Sequence, residues 1–288
     1  MKSVGIIGTG NMGASLLQLL RTNYGKSSMF ISVSDIQTIK SHTLAQKYDV
    51  WDGTNTSVIS DSEIIFLAIK PNDIKEVCGQ IRDVTQNTTE RKTIISLVAG
   101  ISTQHINMFL SDLDYVSYFN NEQKNNEKYE IIRCMPTLNI GNGSGCVFWY
   151  GSNDGSDISN KNKEMCYDML HGPTHYWVSN ESLIDNSTVV FGCSPAYMAY
   201  FVQLYVEVGY KYGFNKEITS SVINNIMGDT SNMIQNEGFE NVIQRVSSKG
   251  GVTEASLNSL KFNEMEKIIN ESFKSGLNKL NKIKNNLD

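Results

Sequence analysis

Residues 2–13 constrain this chain more than any other stretch. Lys2-Ser3-Val4-Gly5-Ile6-Ile7 has the apolar run of a short buried strand, and it passes directly into Gly8-Thr9-Gly10-Asn11-Met12-Gly13, which opens the apolar segment from Ala14 to Leu20. The order is strand, glycine turn, helix. In the spacing Gly-x-Gly-x-x-Gly the first glycine makes the tight turn, the second lets backbone approach a pyrophosphate, and the third lets the helix pack closely on the strand. An anion is favoured at such a helix start, where free N–H groups and the helix dipole converge. The chain is therefore expected to open with a doubly wound domain that binds a dinucleotide; the other reading is a glycine turn with a structural role alone.

The following segments extend this pattern. Residues 28–33 read as a second strand that ends at Ser34-Asp35. An acidic side chain about 20 residues past the glycine turn accepts hydrogen bonds from a ribose 2′-hydroxyl and repels a 2′-phosphate, which tilts the cofactor towards NADH over NADPH. Asp35 is also expected to cap the helix over residues 40–47. Residues 63–69, 93–98 and 130–135 are near-continuous apolar runs, as parallel strands covered on both faces require. They stop at Lys70-Pro71, Ala99-Gly100 and Pro136-Thr137. In a doubly wound sheet ligands bind beyond the carboxyl ends of the strands, so these three stops are site candidates by position. The polar segment 120–128 reads as a solvated insertion.

Beyond Trp177 the strand pattern stops. Ser194-Pro195 reads as a helix cap and first residue, with Gly213 as the stop. The intervening helix, residues 195–212, is apolar nearly all round (Ala196, Tyr197, Met198, Phe201, Leu204, Val208), so it must be buried on every side, and a second subunit is expected to cover part of it. Further helices are expected over residues 217–235 and 253–284. The fold class that follows is α/β: an N-terminal Rossmann-type doubly wound parallel sheet in residues 1–178, then an all-helical C-terminal dimerisation domain in residues 179–288. A length of 288 residues is enough for two cores.

Composition narrows the function classes. The net charge of -5 and a pI near 5.5, with no basic block, argue against nucleic acid as a partner. The five cysteines are scattered, without a C-x-x-C pair, which suits a reducing compartment better than a disulfide scaffold or a zinc site. The apolar runs read as strand-sized, so no membrane span is expected. The first twenty residues are broken by the glycine turn and lack a cleavage site, unlike a signal peptide. A soluble, cytoplasmic protein is expected. His171-Gly-Pro-Thr-His175 has metal-like spacing, but Gly172-Pro173 breaks the helix that would align the rings, and no metal is expected.

A second informative stretch is Val246-Ser-Ser248-Lys-Gly250-Gly251-Val252-Thr253. Two glycines before a helix-capping Thr make an anion site of backbone N–H groups and a hydroxyl, better suited to a small carboxylate than to a nucleotide phosphate. An ordinary loop and helix start is the alternative.

With these segments the chain resembles pyrroline-5-carboxylate reductase, the NAD(P)H enzyme family that completes proline synthesis. The resemblance runs from Val4 to about Leu277 through the opening glycine turn, Ala68-Ile-Lys-Pro71, Ala99-Gly-Ile101, Arg133-Cys-Met-Pro136, Leu183-Ile-Asp185, Pro195-Ala-Tyr197 and the Val246 to Thr253 segment, the most family-specific of these. It implies reduction of 1-pyrroline-5-carboxylate to L-proline by hydride from NADH or NADPH, in a homo-oligomer built from dimers. Its cofactor contacts fall on Gly8, Thr9, Gly10, Asn11, Met12 and Gly13 of the turn, on Ser34, Asp35 and Asn55, on Ala68, Ile69, Lys70 and Pro71, and on Ala99 and Gly100. The imino-acid contacts fall on Glu181, Val252 and Thr253, to which the anion-site reading of the loop adds Ser248, Gly250 and Gly251, with Thr253 the catalytic candidate. The chain departs from the family at Lys249, where Pro is usual, at Thr137, where Asn is usual, and at Ser194, where a second Gly is usual. Imine reduction fits the sparse inventory: the imine nitrogen can already carry its proton, so placement of the reacting atoms within about 3–3.5 Å matters more than a strong general acid. A hydroxyacid dehydrogenase with the same first domain would need a His or Lys acid/base. A catalytically silent NAD(P)-binding sensor is the third reading.

Overall fold

The computed structural model describes residues 2–113, 128–153, 156–157 and 159–285, so the polar segment 120–128 lies outside the described residues except for Lys128. The chain forms two compact units: residues 1–192 with 277–288, and residues 193–276.

In the first unit β1 (Lys2–Ile7), β2 (Met29–Ser34), β3 (Trp51–Asp52), β4 (Ile64–Leu67), β5 (Lys92–Ser96) and β6 (Tyr129–Pro136) pair in the order β3-β2-β1-β4-β5-β6, all parallel. The order reverses between β1 and β4, the switch point at which such sheets bind ligands. At the far edge the parallel sheet gains an antiparallel strand. β7 (Cys146–Asn153) runs antiparallel to β6, carries the short β8 (Ser156–Asp157), and pairs in parallel with β9 (Thr174–Trp177). The stretch between Pro136 and Cys146 is shorter than the dozen or more residues a parallel crossover needs, so the chain has to turn back on itself.

The helices of this unit are α1 (Asn11–Asn23), α2 (Thr38–Tyr48), α3 (Asn55–Asp61), α4 (Ile74–Thr85), α5 (Thr103–Leu110), α6 (Asn160–Met169) and α7 (Ser182–Ser187). Strand alternation explains the continuous apolar runs. In β4, Ile64 and Phe66 enter one core with Leu16, Leu17, Leu19 and Leu20 of α1, while Ile65 and Leu67 enter the other with Val77, Cys78 and Ile81 of α4. Each fully buried leucine of α1 contributes about 1.5–3 kcal/mol relative to exposure.

The second unit holds α8 (Ser194–Lys211), α9 (Lys216–Glu237), α10 (Phe239–Val246), α11 (Val252–Phe262) and the beginning of α12 (Met265–Asn285), whose last turns belong to the first unit. The division therefore falls after Gly192 rather than after Val178, because α7 packs with the sheet: Ile184 and Ser187 are buried and Asp185 pairs with Arg133 of β6. The cap expected at Ser194 is at Cys193, with Ser194 already helical. The single helix expected over 253–284 is broken at Asn263-Glu264. There Asn263 Nδ2 donates to the Ser259 carbonyl oxygen and Glu264 adopts φ 54°, a local side-chain bond competing with helical continuation. The helical run Ser182–Lys211, with a mean hydropathy of 1.3 in its most apolar window, is long and apolar enough to cross a membrane by length and composition. This corrects the reading of the apolar runs as strand-sized.

Candidate functional site

The glycine turn closes as its spacing requires. Gly8 has φ 96°, and a β-carbon there would lie 2.5 Å from the Ala68 carbonyl oxygen; a β-carbon on Gly13 would lie 2.0 Å from the Gly8 oxygen. Neither position accepts a side chain. Gly10 faces open space, and as the cap residue of α1 it makes no side-chain cap hydrogen bond. The first turn of α1 thus starts from Gly10, which has no side chain and faces open space, the arrangement that receives a phosphate.

Asp35 closes one flank. Its Oδ2 accepts from the Thr9 N–H at 2.6 Å and the Thr9 hydroxyl at 2.9 Å, and its Oδ1 accepts from the Gln37 N–H at 2.8 Å. Burial pushes its pKa up, but the Thr9 and Gln37 N–H groups, the Thr9 hydroxyl and nearby Lys40 outweigh it and hold the carboxyl below its ordinary value. Its expected role as the helix cap is corrected. The cap residue of α2 is Gln37, without a side-chain bond, and Asp35 instead ties the tip of β2 to the glycine turn. Beside it Ser34 donates to Asn55 Oδ1 at 2.7 Å, and Asn55 Nδ2 donates to Gln80 Oε1 at 2.8 Å. Gln80, on α4, carried no sequence signal.

Ala68 follows β4, and its N–H donates to the Ile7 oxygen at 2.8 Å, which sets Ala68 to Pro71 next to the glycine turn across the switch point. Lys70 is exposed. Ala99 and Gly100 follow β5 at the same edge. Thr137 is turned into strand pairing: its N–H donates to the Cys146 oxygen at 2.9 Å and its hydroxyl accepts from the Cys146 N–H at 3.1 Å. Glu181 is engaged within this unit, accepting from the Thr103 N–H at 2.7 Å, the Thr103 hydroxyl at 3.2 Å and Arg133 at 3.3 Å.

The second candidate loop lies in the other unit. The Gly251 N–H donates to the Ser248 oxygen at 2.9 Å, Gly251 is the cap residue of α11 in an extended conformation, and Val252 is 85% exposed. Thr253 is therefore the second helical residue rather than the cap, because Gly251 already supplies the non-helical conformation that a cap requires. Its hydroxyl still stands on the first turn, among N–H groups that lack helical partners. The Gly250 N–H donates to Glu254 Oε2 at 2.6 Å. An incoming carboxylate must share that donor with Glu254 or displace it. A Glu three residues after a cap position is the capping-box spacing, a signal that could have found this residue, although Glu254 accepts here from Gly250, one residue before the cap. Lys249 is exposed.

All four histidines belong to the first unit. His175 is held between Trp149 Nε1 at 3.0 Å and the Leu170 oxygen at 3.0 Å.

Comparison with known proteins gives two family matches, the second of which starts within the first unit. Residues 3–100 match the family described as NADP oxidoreductase, coenzyme F420-dependent, and residues 181–283 match pyrroline-5-carboxylate reductase dimerisation. The chain is 25% identical over 274 residues to the pyrroline-5-carboxylate reductase of Pseudomonas aeruginosa, covering 93% of this chain and 92% of that protein. It is 24% identical to that of Aquifex aeolicus, covering 87% and 85%. Among solved structures its fold is similar to that of the Plasmodium falciparum pyrroline carboxylate reductase with NADP bound, at a TM-score of 0.80, 18% identity and 98% coverage of both chains.

Proposed function

We infer that this chain belongs to the pyrroline-5-carboxylate reductase family and reduces 1-pyrroline-5-carboxylate to L-proline by hydride transfer from NAD(P)H, the last step of proline biosynthesis. The observation that carries this reading is the match of residues 181–283 to the dimerisation domain of that family, in a chain whose first strand runs into a dinucleotide-type glycine turn.

The residues present fit the cofactor. Gly8 and Gly13 leave a turn that no β-carbon fills, Gly10 faces open space, and the start of α1 has no side-chain cap. The bound nicotinamide supplies the hydride. The backbone of Gly10 to Gly13 would hold the pyrophosphate and Asp35 the adenosine ribose, with a preference for NADH, and Ala68 to Pro71 with Ala99-Gly100 would line the edge beyond β4 and β5. Ser248, Gly250, Gly251, Val252 and Thr253 hold the imino acid through its carboxylate, by charge-assisted hydrogen bonds from backbone N–H groups. The Thr253 hydroxyl orients the imine nitrogen and its proton. The enzyme works as a soluble, cytoplasmic homo-oligomer, and α8 is covered by a second subunit rather than by lipid.

A hydroxyacid dehydrogenase is disfavoured because residues 181–283 match the dimerisation domain of the reductase family, and the half-buried His175 is tied to Trp149 and Leu170. The test is loss of NADH or NADPH absorbance on addition of pyrroline-5-carboxylate, with proline identified as product. Cofactor binding without turnover would leave the silent sensor as the better reading.

A further inference from the structure

We propose that Glu181 and Lys284 are positioning residues for the cofactor-contacting loop at residues 99–103, acting through Arg133 and Asp185. The loop leaves the carboxyl end of β5 and enters α5, and two outside elements grip it. From α7's leading edge, Glu181 accepts from the N–H and the hydroxyl of Thr103, the first residue of α5. From the last turns of α12, the Leu280 carbonyl oxygen and Ile283 lie against Gly100, where a β-carbon would be 3.3 Å from each.

The two grips are electrostatically linked. Arg133 donates from Nη1 to Glu181 at 3.3 Å and from Nη2 to Asp185 Oδ1 at 2.8 Å, and Lys284 donates to Asp185 Oδ2 at 2.5 Å. Acid and base alternate along Glu181, Arg133, Asp185 and Lys284, so two carboxylates balance two cations. Arg133 is only 1% exposed, and its Nε has no partner among the described residues. A buried guanidinium holds its carboxylates in narrow geometry, because losing either one leaves a charge uncompensated away from water. Lys284 pins the end of α12 to α7 through Asp185, and α7 and α12 together hold Gly100 and Thr103. Neither Glu181 nor Lys284 touches the reacting atoms; both set the backbone on which the cofactor leans. Glu181 thereby has a role within the first unit beside the substrate contact implied by the resemblance.

This inference rests on the reading of Ala99-Gly100 as a cofactor contact and not on the identity of the imino acid. Titration of NADH against the full-length protein, by fluorescence and without imino acid, tests it directly. Lys284→Met is expected to raise the NADH Kd about fivefold and Glu181→Gln about tenfold or more, with Lys284→Arg restoring near-normal affinity. Thermal unfolding is recorded on each variant, and Thr103→Val, which removes only the hydroxyl contact, replaces Glu181→Gln if that variant does not fold. Unchanged NADH affinity in folded Lys284→Met and Thr103→Val would overturn the proposal, leaving a network that stabilises without positioning. A shifted Kd in a protein that never turns over pyrroline-5-carboxylate would uphold it while removing the reductase reading.

Discussion

Thr253 occupies the second position of α11, where its hydroxyl lies beside N–H groups that no helical carbonyl satisfies. Since Gly251 is the cap, removing the Thr253 hydroxyl takes no capping bond from the helix. Thr253→Ala is therefore expected to lower kcat/KM for the imine by roughly tenfold or more, about 1.4 kcal/mol of transition-state stabilisation, with NADH affinity changed by less than about twofold. Steady-state kinetics and NADH titration on the folded variant check this, and near-normal kcat/KM would move the substrate site elsewhere. At Asp35 the carboxylate is anchored by Thr9 and Gln37 with its charge retained, so a 2′-phosphate would meet a fixed negative group. kcat/KM is expected to be higher with NADH than with NADPH, and Asp35→Asn is expected to narrow that ratio by about tenfold, because the amide keeps an acceptor but loses the charge. A wild-type preference for NADPH would refute this. The glycine turn and the strand ends were legible because glycine spacing and abrupt stops of apolar runs are local features. The engagement of Glu181 was not, since its partners Thr103 and Arg133 are distant in sequence and meet it only through the fold.

Among the elements, the far edge of the sheet carries a titratable group. Trp149 on β7 can only donate, so His175 on β9 accepts through Nδ1, and its Nε2 must carry the proton donated to the Leu170 oxygen that follows α6. The neutral ring satisfies both neighbours. Burial lowers the His175 pKa and His171 adds to this, while the bond to Leu170 opposes it, so the folded state releases the proton more readily than the unfolded chain. The unfolded state then binds more protons below its value of 6.5, and stability falls as pH drops from there towards the lowered folded pKa. The urea midpoint is expected to be lower at pH 5.5 than at pH 7.5, and the difference to shrink in His175→Gln. Asp35, whose pKa is also lowered, loses its contribution in a separate and more acidic window, as pH falls below 3.8. An equal pH dependence in wild type and His175→Gln would show that His175 is not the source. β1, β2, β4, β5 and β6 were readable as continuous apolar runs because both faces are covered. β7 and β9 escaped notice: their residues alternate between buried and less buried positions, and their pairing depends on a turn after Pro136 rather than on a repeating pattern.

For the whole molecule, α8 is the element that a single chain leaves unfinished. None of its residues is buried, and Tyr200 and Tyr210 are each 59% exposed on a helix that is apolar nearly all round. A surface of that kind is what an obligate interface, which resembles a core cut in half, would cover. Light scattering is expected to show a dimer or a ring of dimers as the smallest folded species, and Tyr205→Glu, on the exposed face, is expected to weaken association before it affects the first unit. A folded, active monomer at low concentration would rule this out. The bilayer-length run Ser182–Lys211 gives this test a second use, since a dimer stable in aqueous buffer without detergent accounts for the apolar surface without lipid.

By itself the sequence determined what depends on neighbours along the chain: the glycine turn, the apolar strands and their abrupt ends, the apolar helix starting at Pro195, and the glycine pair before Thr253. Each is a matter of local sterics, side-chain period or backbone N–H supply, and these act within a few residues. Only the tertiary structure decided that Thr137 pairs with Cys146, that Asp35 anchors the glycine turn instead of capping α2, that the end of α12 rejoins the first unit, and that Glu181 meets Arg133. Those outcomes follow from which distant segments close over one another, and burial then forces each buried charge or N–H to take whatever partner lies within hydrogen-bond reach.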